Sequence, residues 1–295
     1  QTLSLSGTGT IASKNVGSNK TVSIGTLALG DGSNGGLAAN YTLTGGTHQL
    51  TVNQRPLNAT LARQYDATTT AAGSTLSSFD ALQGGENLTM TGSGTAASKN
   101  VANGIAMSSN GNLALADGTG LASNYSLNST VINISQTSVD LSGSKTYDGN
   151  TTINNSSVNV ASGLMGSETL SLTGVVNTNN ANVGSFSASG GTLNNGSTTI
   201  ALANGTNGGL AANYAINDGN FSIIRRVVGV SGTRLYDATT NAVASDLSTH
   251  ANLVGSQTLS LSGTGTIASK NVGSNKTVSI GTLALGDGSN GGLAA

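Results

Sequence analysis

Short runs in which aliphatic and polar residues alternate recur along the chain and end in glycine. They read Leu3-Ser-Leu5-Ser-Gly7, Leu88-Thr-Met90-Thr-Gly92, Leu170-Ser-Leu172-Thr-Gly174 and Leu259-Ser-Leu261-Ser-Gly263. Alternation over four to eight residues, bounded by turn residues, predicts half-buried β-strands. The clusters of Gly, Asn, Asp and Ser between the runs predict tight turns. The pattern therefore predicts an all-β fold, with a single helical turn at Ser77–Gln83.

The first 39 residues, Gln1–Ala39, recur letter for letter as Gln257–Ala295. Self-similarity at a fixed spacing indicates a repeat architecture. The interval between the two copies holds a shorter, more divergent repeat of roughly 85 residues, because the glycine-terminated strand returns three times across it. We interpret the chain as a tandem array of small β modules that form an elongated rod.

Two tyrosine dipeptides mark every repeat. Tyr-Asp and Asn-Tyr each occur three times, and together they use all six tyrosines of the chain. The residues concerned are Tyr65, Asp66, Tyr147, Asp148, Tyr236 and Asp237 for the first marker, and Asn40, Tyr41, Asn124, Tyr125, Asn213 and Tyr214 for the second. Aromatic residues make up only 3% of the chain, so these tyrosines are predicted structural motif positions.

The positions of these markers divide the chain into four predicted parts. Residues 1–56 are the C-terminal part of a module, 57–136 and 137–226 are complete modules, and 227–295 are the N-terminal part of another. Pro56, the only proline, lies at the first junction. The first part lacks a Tyr-Asp opening strand and the last lacks an Asn-Tyr closing strand. We therefore expect the two end pieces to complete each other between neighbouring chains, or to be less ordered.

Composition narrows the possible functions. Charged residues are 8% of the chain and the net charge is −1, so no strong field attracts nucleic acid or anionic lipid. Cysteine is absent, which excludes disulfides and thiolate metal sites. No run of 18 apolar residues occurs, so we expect no direct membrane insertion.

With these residues in view, the chain resembles the YDG-type repeats, also called mostly-β glycine-rich (MBG) repeats. The resemblance is carried by Tyr-Asp-Gly/Ala, the alternating strand, Lys14-Asn15-Val16-Gly17 and Leu-Ala-x-Asn-Tyr. Such repeats occur in large filamentous-haemagglutinin-like adhesins exported by two-partner secretion. The resemblance implies an extracellular stalk at the bacterial cell surface or in the biofilm matrix, and an outer-membrane secretion partner. Ala67 and Ala238 replace the glycine of Gly149, so we expect no left-handed torsion there.

Three module folds remain open from the sequence. An immunoglobulin-like sandwich fits the short strands best, a β-grasp-like module with one short helix is second, and a β-solenoid is third. The solenoid needs a repeat of about 20–30 residues, and none is present.

Candidate sites are interpreted mainly as structural. Tyr-Asp could stack on a sugar, but a core tyrosine and a turn-capping aspartate is the more common arrangement, and Asn-Tyr is interpreted in the same way. The loops that begin at Asp31, Asp117 and Asp287 suggest calcium. One carboxylate per loop is too few, however, and Asn204 replaces it in the remaining copy. We expect no metal and no cofactor.

An enzyme is not expected. His48 and His250 occupy non-equivalent places in the repeat, and no nucleophile motif with a histidine partner is present. Glu86 and Glu168 share one repeat position with Gln1 and Gln257, whereas a catalytic acid must keep its carboxyl. The predicted function is an adhesin stalk that supports cell–cell or matrix adhesion. The alternatives are an exopolysaccharide-binding module and a fibre module that associates laterally with neighbouring adhesin molecules.

Overall fold

The computed structural model describes residues 1–46, 48–189, 192–194 and 196–294, with only the backbone of His250. Its regular structure is almost entirely β, which confirms the predicted fold class. The helices of the described ranges are three-residue 3-10 turns at Ala38–Asn40, Gly73–Thr75, Ala122–Asn124, Asn155–Ser157, Ala211–Asn213 and Ala244–Asp246. The chain folds as two units, Gln1–Thr137 and Ser138–Ala295.

The first unit holds the N-terminal segment (residues 1–54) and the first module (residues 55–136). The strands of the N-terminal segment are β1 (Ser4–Ser6), β2 (Thr10–Ile11), β3 (Gly17–Ser23), β4 (Ala28–Gly30) and β5 (Gln49–Val52). Those of the first module are β6 (Arg55–Gln64), β7 (Thr70–Ala72), β8 (Leu76–Phe79), β9 (Leu88–Thr91), β10 (Ser93–Ala96), β11 (Ala102–Ser109), β12 (Ala114–Asp117) and β13 (Tyr125–Ser135).

The second unit holds the second module (residues 137–225) and the C-terminal segment (residues 226–294). The strands of the second module are β14 (Thr137–Thr146), β15 (Thr152–Asn154), β16 (Val158–Ser162), β17 (Leu170–Thr173), β18 (Val175–Thr178), β19 (Gly184–Ser189), β20 (Thr192–Leu193), β21 (Gly196–Thr198), β22 (Ala201–Asn204) and β23 (Tyr214–Ile224). Those of the C-terminal segment are β24 (Gly229–Gly232), β25 (Asn241–Val243), β26 (Leu247–Ala251), β27 (Ser260–Ser262), β28 (Thr264–Ile267), β29 (Val278–Ser279) and β30 (Ala284–Gly286).

The first and last strands of a module are neighbours in its main sheet. In the first module the order is β7-β10-β11-β13-β6-β8, and β13 runs parallel to β6 from Tyr125↔Arg55 to Ser135↔Gln64. The second module has the order β16-β14-β23-β19-β20, so β14 and β23 are again adjacent. The first and last strands of each module, which are far apart in sequence, therefore pair with each other. We call the last strands, β13 and β23, the closing strands.

The core lies beneath this central pair. Leu57, Leu61, Ile132 and Ile134 alternate with polar residues along β6 and β13 and are fully buried. In the second module the core combines residues from most of its strands, namely Leu141, Ile153, Val158, Val176, Phe186, Ala188, Leu193, Phe221 and Ile223. Burial of these aliphatic and aromatic side chains is the main favourable term for so small a fold.

The helical turn predicted at Ser77–Gln83 is wrong. Residues 76–79 form β8, which pairs antiparallel with β6 through Ala59↔Phe79. Asp80 then accepts hydrogen bonds from the backbone N–H of Asn58 at 2.9 Å and from its side-chain amide at 2.6 Å. Pairing with β6 satisfies the backbone of this stretch, so tertiary context overrides its weak local helix preference.

The two end segments have open sheet edges. β5 lies at the edge of the sheet β2-β3-β5, and β24 pairs only with β26. β5 corresponds to the closing strand of a module, and β24 corresponds to its first strand, β6 or β14. In each module these two strands pair with each other. Each end segment therefore lacks, within the described residues, the neighbour that a module supplies.

Candidate functional site

The tyrosine of each Asn-Tyr pair follows a 3-10 turn and hydrogen-bonds to a Glu or Gln. Tyr125 donates its hydroxyl to Glu86 Oε2 at 2.7 Å, and Tyr214 donates to Glu168 Oε2 at 2.6 Å. In the N-terminal segment Tyr41 donates to Gln1 Oε1 at 2.8 Å. The hydroxyl needs one acceptor oxygen, which an amide provides as well as a carboxylate does. This explains why Glu and Gln share the position.

We call the recess that holds this ring the tyrosine socket. In the first module Tyr125 packs with Leu57 and Leu88, with Leu82 and Leu115 closing the sides. The backbone N–H of Gln83 donates to the Tyr125 hydroxyl at 3.3 Å. In the second module the N–H of Met165 donates to Tyr214 at 3.2 Å. The socket thus buries the ring and satisfies its polar end.

The asparagine of the pair connects the first module to the N-terminal segment. Asn124 Oδ1 accepts the backbone N–H of Val16 at 2.8 Å, and its Nδ2 donates to Asn15 Oδ1 at 3.0 Å. Asn213 is fully buried in the second module, and Asn40 ends the first 3-10 turn. At this junction, Asn15 and Val16 of the Lys-Asn-Val-Gly motif are therefore the hydrogen-bond partners of the asparagine of the following module.

An arginine at the start of the first module and of the C-terminal segment makes a repeated contact within that segment, which the sequence did not predict. Arg55 Nε donates to the carbonyl of Ala81 at 2.8 Å in the first unit. Arg226 Nε donates to the carbonyl of Asn252 at 2.6 Å in the second unit. The two arginines occupy one repeat position, as do the two carbonyls. The recurrence of an arginine at positions 55 and 226 is the sequence signal that points to this contact.

Lys14 of the N-terminal segment and Glu86 of the first module form an ion pair across the junction that Asn124 also bridges. The Lys14 ammonium, followed by the Tyr125 hydroxyl, holds the pKa of Glu86 below its ordinary value of 4.5. The same contact raises the pKa of Lys14, and the Glu86 carboxylate raises the pKa of Tyr125. The lysine side chain is 78% exposed, so the pair contributes little at ordinary salt.

Acid is expected to weaken this junction. Because the folded state depresses the pKa of Glu86, its contribution is present above the unfolded value near 4.5 and is lost as pH falls through the lower folded value. Glu86→Gln keeps the tyrosine acceptor, as Gln1 does, but removes the titration. The variant is expected to be slightly less stable than the parent at pH 7 and to become equal to it once the pH has fallen below the folded pKa of Glu86. Urea unfolding of both chains across this range checks the convergence, and parallel curves would contradict it.

The Tyr-Asp corner has one hydrogen-bond pattern in all three copies. Each aspartate accepts the N–H two residues later at 2.9 Å, from Thr68 to Asp66, from Asn150 to Asp148 and from Thr239 to Asp237. A basic residue three positions before the aspartate forms an ion pair with it, namely Arg63, Lys145 and Arg234. The same basic residue donates to the carbonyl two residues after the aspartate. The carboxylate is thus occupied by its own turn.

The expectation of no left-handed torsion after the aspartate is wrong. Ala67 has φ of 63° and Ala238 has φ of 65°, close to the 79° of Gly149. The turn and its ion pair impose this conformation, which costs a residue with a Cβ about 1–2 kcal/mol. The two alanines therefore carry backbone strain that glycine avoids.

Glycine at these two positions is expected to stabilise the protein. Ala67→Gly relieves the left-handed strain, offset by the greater freedom of glycine in the unfolded chain, for a net gain of about 0.5–1 kcal/mol. Gly149→Ala is the reverse change and also places a Cβ 2.9 Å from Val254 Cγ1, so it is expected to cost at least as much. Thermal unfolding of the single variants Ala67→Gly, Ala238→Gly and Gly149→Ala measures these changes in stability. A destabilised Ala67→Gly would contradict the argument.

The tyrosines of the Tyr-Asp pairs differ in burial. Tyr65 is 1% exposed, its N–H donates to Ser135 of the closing strand at 2.8 Å, and the Lys99 ammonium lies 5.9 Å from its ring. Tyr147 packs partly buried against the second core. Tyr236 is 59% exposed, because no closing strand lies beside β24 in the described chain.

The loops considered for calcium use their aspartates as turn caps. Asp31, Asp117 and Asp287 each accept the N–H of the alanine directly after the loop leucine, at 2.7, 2.7 and 2.8 Å, and Asn204 does the same at 2.8 Å. One oxygen is sufficient for this role, which explains the replacement of Asp by Asn. Among the described residues, no group of three or more His, Asp or Glu is placed to hold a metal.

The two histidines are the remaining candidates for chemistry. His48 precedes β5, and its carbonyl accepts the N–H of Val22 at 2.9 Å. The side chain of His250 lies outside the described residues. In the described part of the chain, no helix is long and apolar enough to span a membrane.

Comparison with known proteins gives one family. A family model described as the YDG domain matches residues 1–50, 47–132 and 225–293, which together make up more than half of the chain. The matched segments include the Tyr-Asp corners at Tyr65 and Tyr236, both followed by alanine. Comparison with curated proteins and with solved structures gives no significant match.

Proposed function

Because the chain belongs to the YDG domain family, we propose that it is a structural stalk of a large bacterial adhesin. The stalk lies outside the cell, at the surface or in the biofilm matrix, and holds a distal binding domain away from it. In this proposal the modules are also MBG repeats, and the parent protein is exported by two-partner secretion through an outer-membrane partner.

The observation that carries the proposal is that the repeated side chains serve the module and its junction. Tyrosine hydroxyls bond to Glu or Gln, and aspartates bond to their own turns. Asn124 and Glu86 bond to Val16 and Lys14 across the boundary between the N-terminal segment and the first module. A stalk needs modules that are stable by themselves and junctions that repeat, and these contacts provide both.

The low charge supports the same role. With a net charge of −1 and 8% charged residues, copies in tandem do not repel one another strongly. The identity of residues 1–39 with 257–295 also supports an array that grows by duplication of whole modules.

The proposal predicts a length that increases with copy number. Chains with one, two and three copies of residues 1–256 are compared by small-angle X-ray scattering, which measures the maximum dimension. A stalk gives an increase in proportion to the number of copies. A compact particle, whose dimension grows as about the 0.4 power of chain length, would contradict the proposal.

A glycan array distinguishes the alternative function. Saturable binding of the isolated chain to an exopolysaccharide would favour the binding module over the passive stalk. The exposed tyrosines are Tyr41 and Tyr236, so phenylalanine and alanine variants of these two residues are the matched controls for sugar stacking.

A further inference from the structure

The chain enters and leaves the first module on two strands that pair with each other. β6 begins the module at Arg55, and β13 ends it at Ser135. The two strands run parallel. Arg55 lies opposite Tyr125 at the start of the pair, and Gln64 lies opposite Ser135 at its end. Tension along the chain therefore acts on the start of β6 and on the end of β13, which lie at opposite ends of one ladder.

Tension in this direction loads the strand pair in shear. Ten residue pairs join the strands, with one bulge between Leu127 and Ser129. At a rise of about 3.3 Å per residue, the two loaded strand ends lie roughly 30 Å apart. Parallel pairing spaces its slanted hydrogen bonds evenly along both strands. Because sliding one strand past the other stretches all of these bonds together, they have to break almost at once rather than one after another.

Neighbouring strands and the core cover this pair. β8 pairs with the other side of β6, and β11 pairs with the other side of β13. Beneath the pair, Leu57, Leu61, Ile132 and Ile134 are at most 1% exposed. A hydrogen bond in such low-dielectric surroundings is stronger than one at an edge that faces water. The ladder that carries the load is therefore the most protected part of the sheet.

The two tyrosine markers lie at the two ends of the ladder. Tyr125 begins β13 opposite Arg55, with its ring buried in the tyrosine socket and its hydroxyl bonded to Glu86 at 2.7 Å. Tyr65 directly follows β6, is 1% exposed, and donates its N–H to the carbonyl of Ser135 at 2.8 Å. Each buried ring therefore fixes the unloaded end of one strand beside the loaded end of the other.

A side-chain link also crosses the pair at the bulge. Asn58 of β6 accepts hydrogen bonds at Oδ1 from the Ser129 hydroxyl at 2.6 Å and from the Asn128 amide at 2.9 Å. In the second module Asp140 of β14 has the same repeat position and accepts the Asn217 amide at 3.2 Å. The link thus recurs with a different acceptor.

The second module repeats the parallel arrangement. β14 and β23 are neighbours in its sheet. The N–H of Asp218 donates to the Asp140 carboxylate at 3.3 Å, and further along both strands the N–H of Tyr147 donates to the carbonyl of Ile224 at 2.9 Å. Because both contacts advance in the same direction along the two strands, the first and last strands of this module are also parallel.

We propose that this parallel pair of first and closing strands, which we call the terminal-strand clamp, gives each complete module the further function of bearing tension along the chain. The clamp resists force that is applied between the points where the chain enters and leaves the module. It yields at lower force when the strands are pulled apart sideways. The property belongs to the module itself, so it goes beyond the proposed stalk and is tested independently of it.

The test pulls the full chain in two directions by atomic force microscopy. Handles are attached through introduced cysteines, since the chain has none, and both are kept reduced until the handles couple. Gln54→Cys with Gln136→Cys loads the clamp in shear. Gln54→Cys with Ser123→Cys loads the two strands at one end, because the Gln54 amide donates to the Ser123 carbonyl at 3.2 Å.

The unfolding force is expected to be at least about threefold higher in shear, because forced unfolding is governed by the unfolding barrier along the pulling direction. Release of about 260 Å of chain identifies the shear event as unfolding of the first module. Equal forces in the two directions would overturn the proposal.

Two core variants separate the clamp from overall stability. Leu61→Ala in β6 and Met90→Ala in β9 each truncate a buried side chain, so both are expected to lower the thermal unfolding midpoint. Leu61 lies in the clamp, whereas β9 pairs only with β12, away from the loaded strands. Leu61→Ala alone is expected to lower the shear unfolding force, by about a third.

An equal loss of force in Leu61→Ala and Met90→Ala would overturn the proposal, because the force would then follow stability and not the ladder. The comparison of the two pulling directions leaves the core intact. It therefore decides the question even if Leu61→Ala does not fold.

Discussion

Tyr65→Ala is expected to lower the free energy of unfolding of the first unit by about 3–5 kcal/mol, the range for removing a buried aromatic side chain. Tyr65 is almost fully buried, and its backbone joins the closing strand at Ser135. Alanine leaves a cavity where the buried ring follows the end of β6. Urea-dependent hydrogen exchange, read by mass spectrometry for peptides of β6 and β13, measures the loss within the unit.

The matched control is Tyr236→Ala in the C-terminal segment. This tyrosine has the same place in the repeat but is largely exposed, so its loss is expected to change the stability by no more than about 0.5 kcal/mol. Equal effects of the two substitutions would show that burial by the closing strand is not the source of the difference.

Tyr214→Phe is expected to destabilise the second module by about 1–3 kcal/mol. The change keeps the ring but removes the hydroxyl that donates to Glu168 at 2.6 Å, and the carboxylate is buried. Loss of a donor to a buried charged group costs more than loss of a surface hydrogen bond. Hydrogen exchange of β17 and β23 gives the size of the effect.

Two controls separate the hydrogen bond from other causes. Tyr41→Phe removes the same hydroxyl from a half-exposed site with a neutral Gln1 acceptor, so its cost is expected to stay below about 1 kcal/mol. Glu168→Gln reproduces the Gln found in two copies and is expected to retain most of the stability. If Tyr214→Phe and Tyr41→Phe had the same effect, the buried carboxylate would not be the reason.

The strands could be predicted from the sequence because their signals are local. Alternation at Leu88-Thr-Met90-Thr and Leu170-Ser-Leu172-Thr identified β9 and β17, which the structure places at Leu88–Thr91 and Leu170–Thr173. The tyrosine markers located the opening and closing strands for the same reason. A period of two is retained wherever one face of a strand is buried.

The long-range contacts could not be predicted in this way. Nothing near Arg55 indicates that β6 pairs in parallel with β13, about 70 residues later, because register between distant strands has no local signature. The left-handed Ala67 was missed because the turn around Asp66 and Arg63 outweighs the intrinsic preference of alanine. The helical turn at Ser77–Gln83 failed because pairing with β6 decides that stretch.

At two positions of the repeat the side chain supplies a single acceptor oxygen, and this has a consequence for an array of many copies. The turn-capping acceptor is Asp117 in one copy and Asn204 in another, and the tyrosine hydroxyl donates to Glu86 in one copy and to Gln1 in another. Each exchange changes the net charge of the chain by one unit and leaves the backbone conformation unchanged. In the proposed stalk, such substitutions repeated over many copies would shift the isoelectric point of the whole protein, so its solubility at different pH values could evolve independently of its fold.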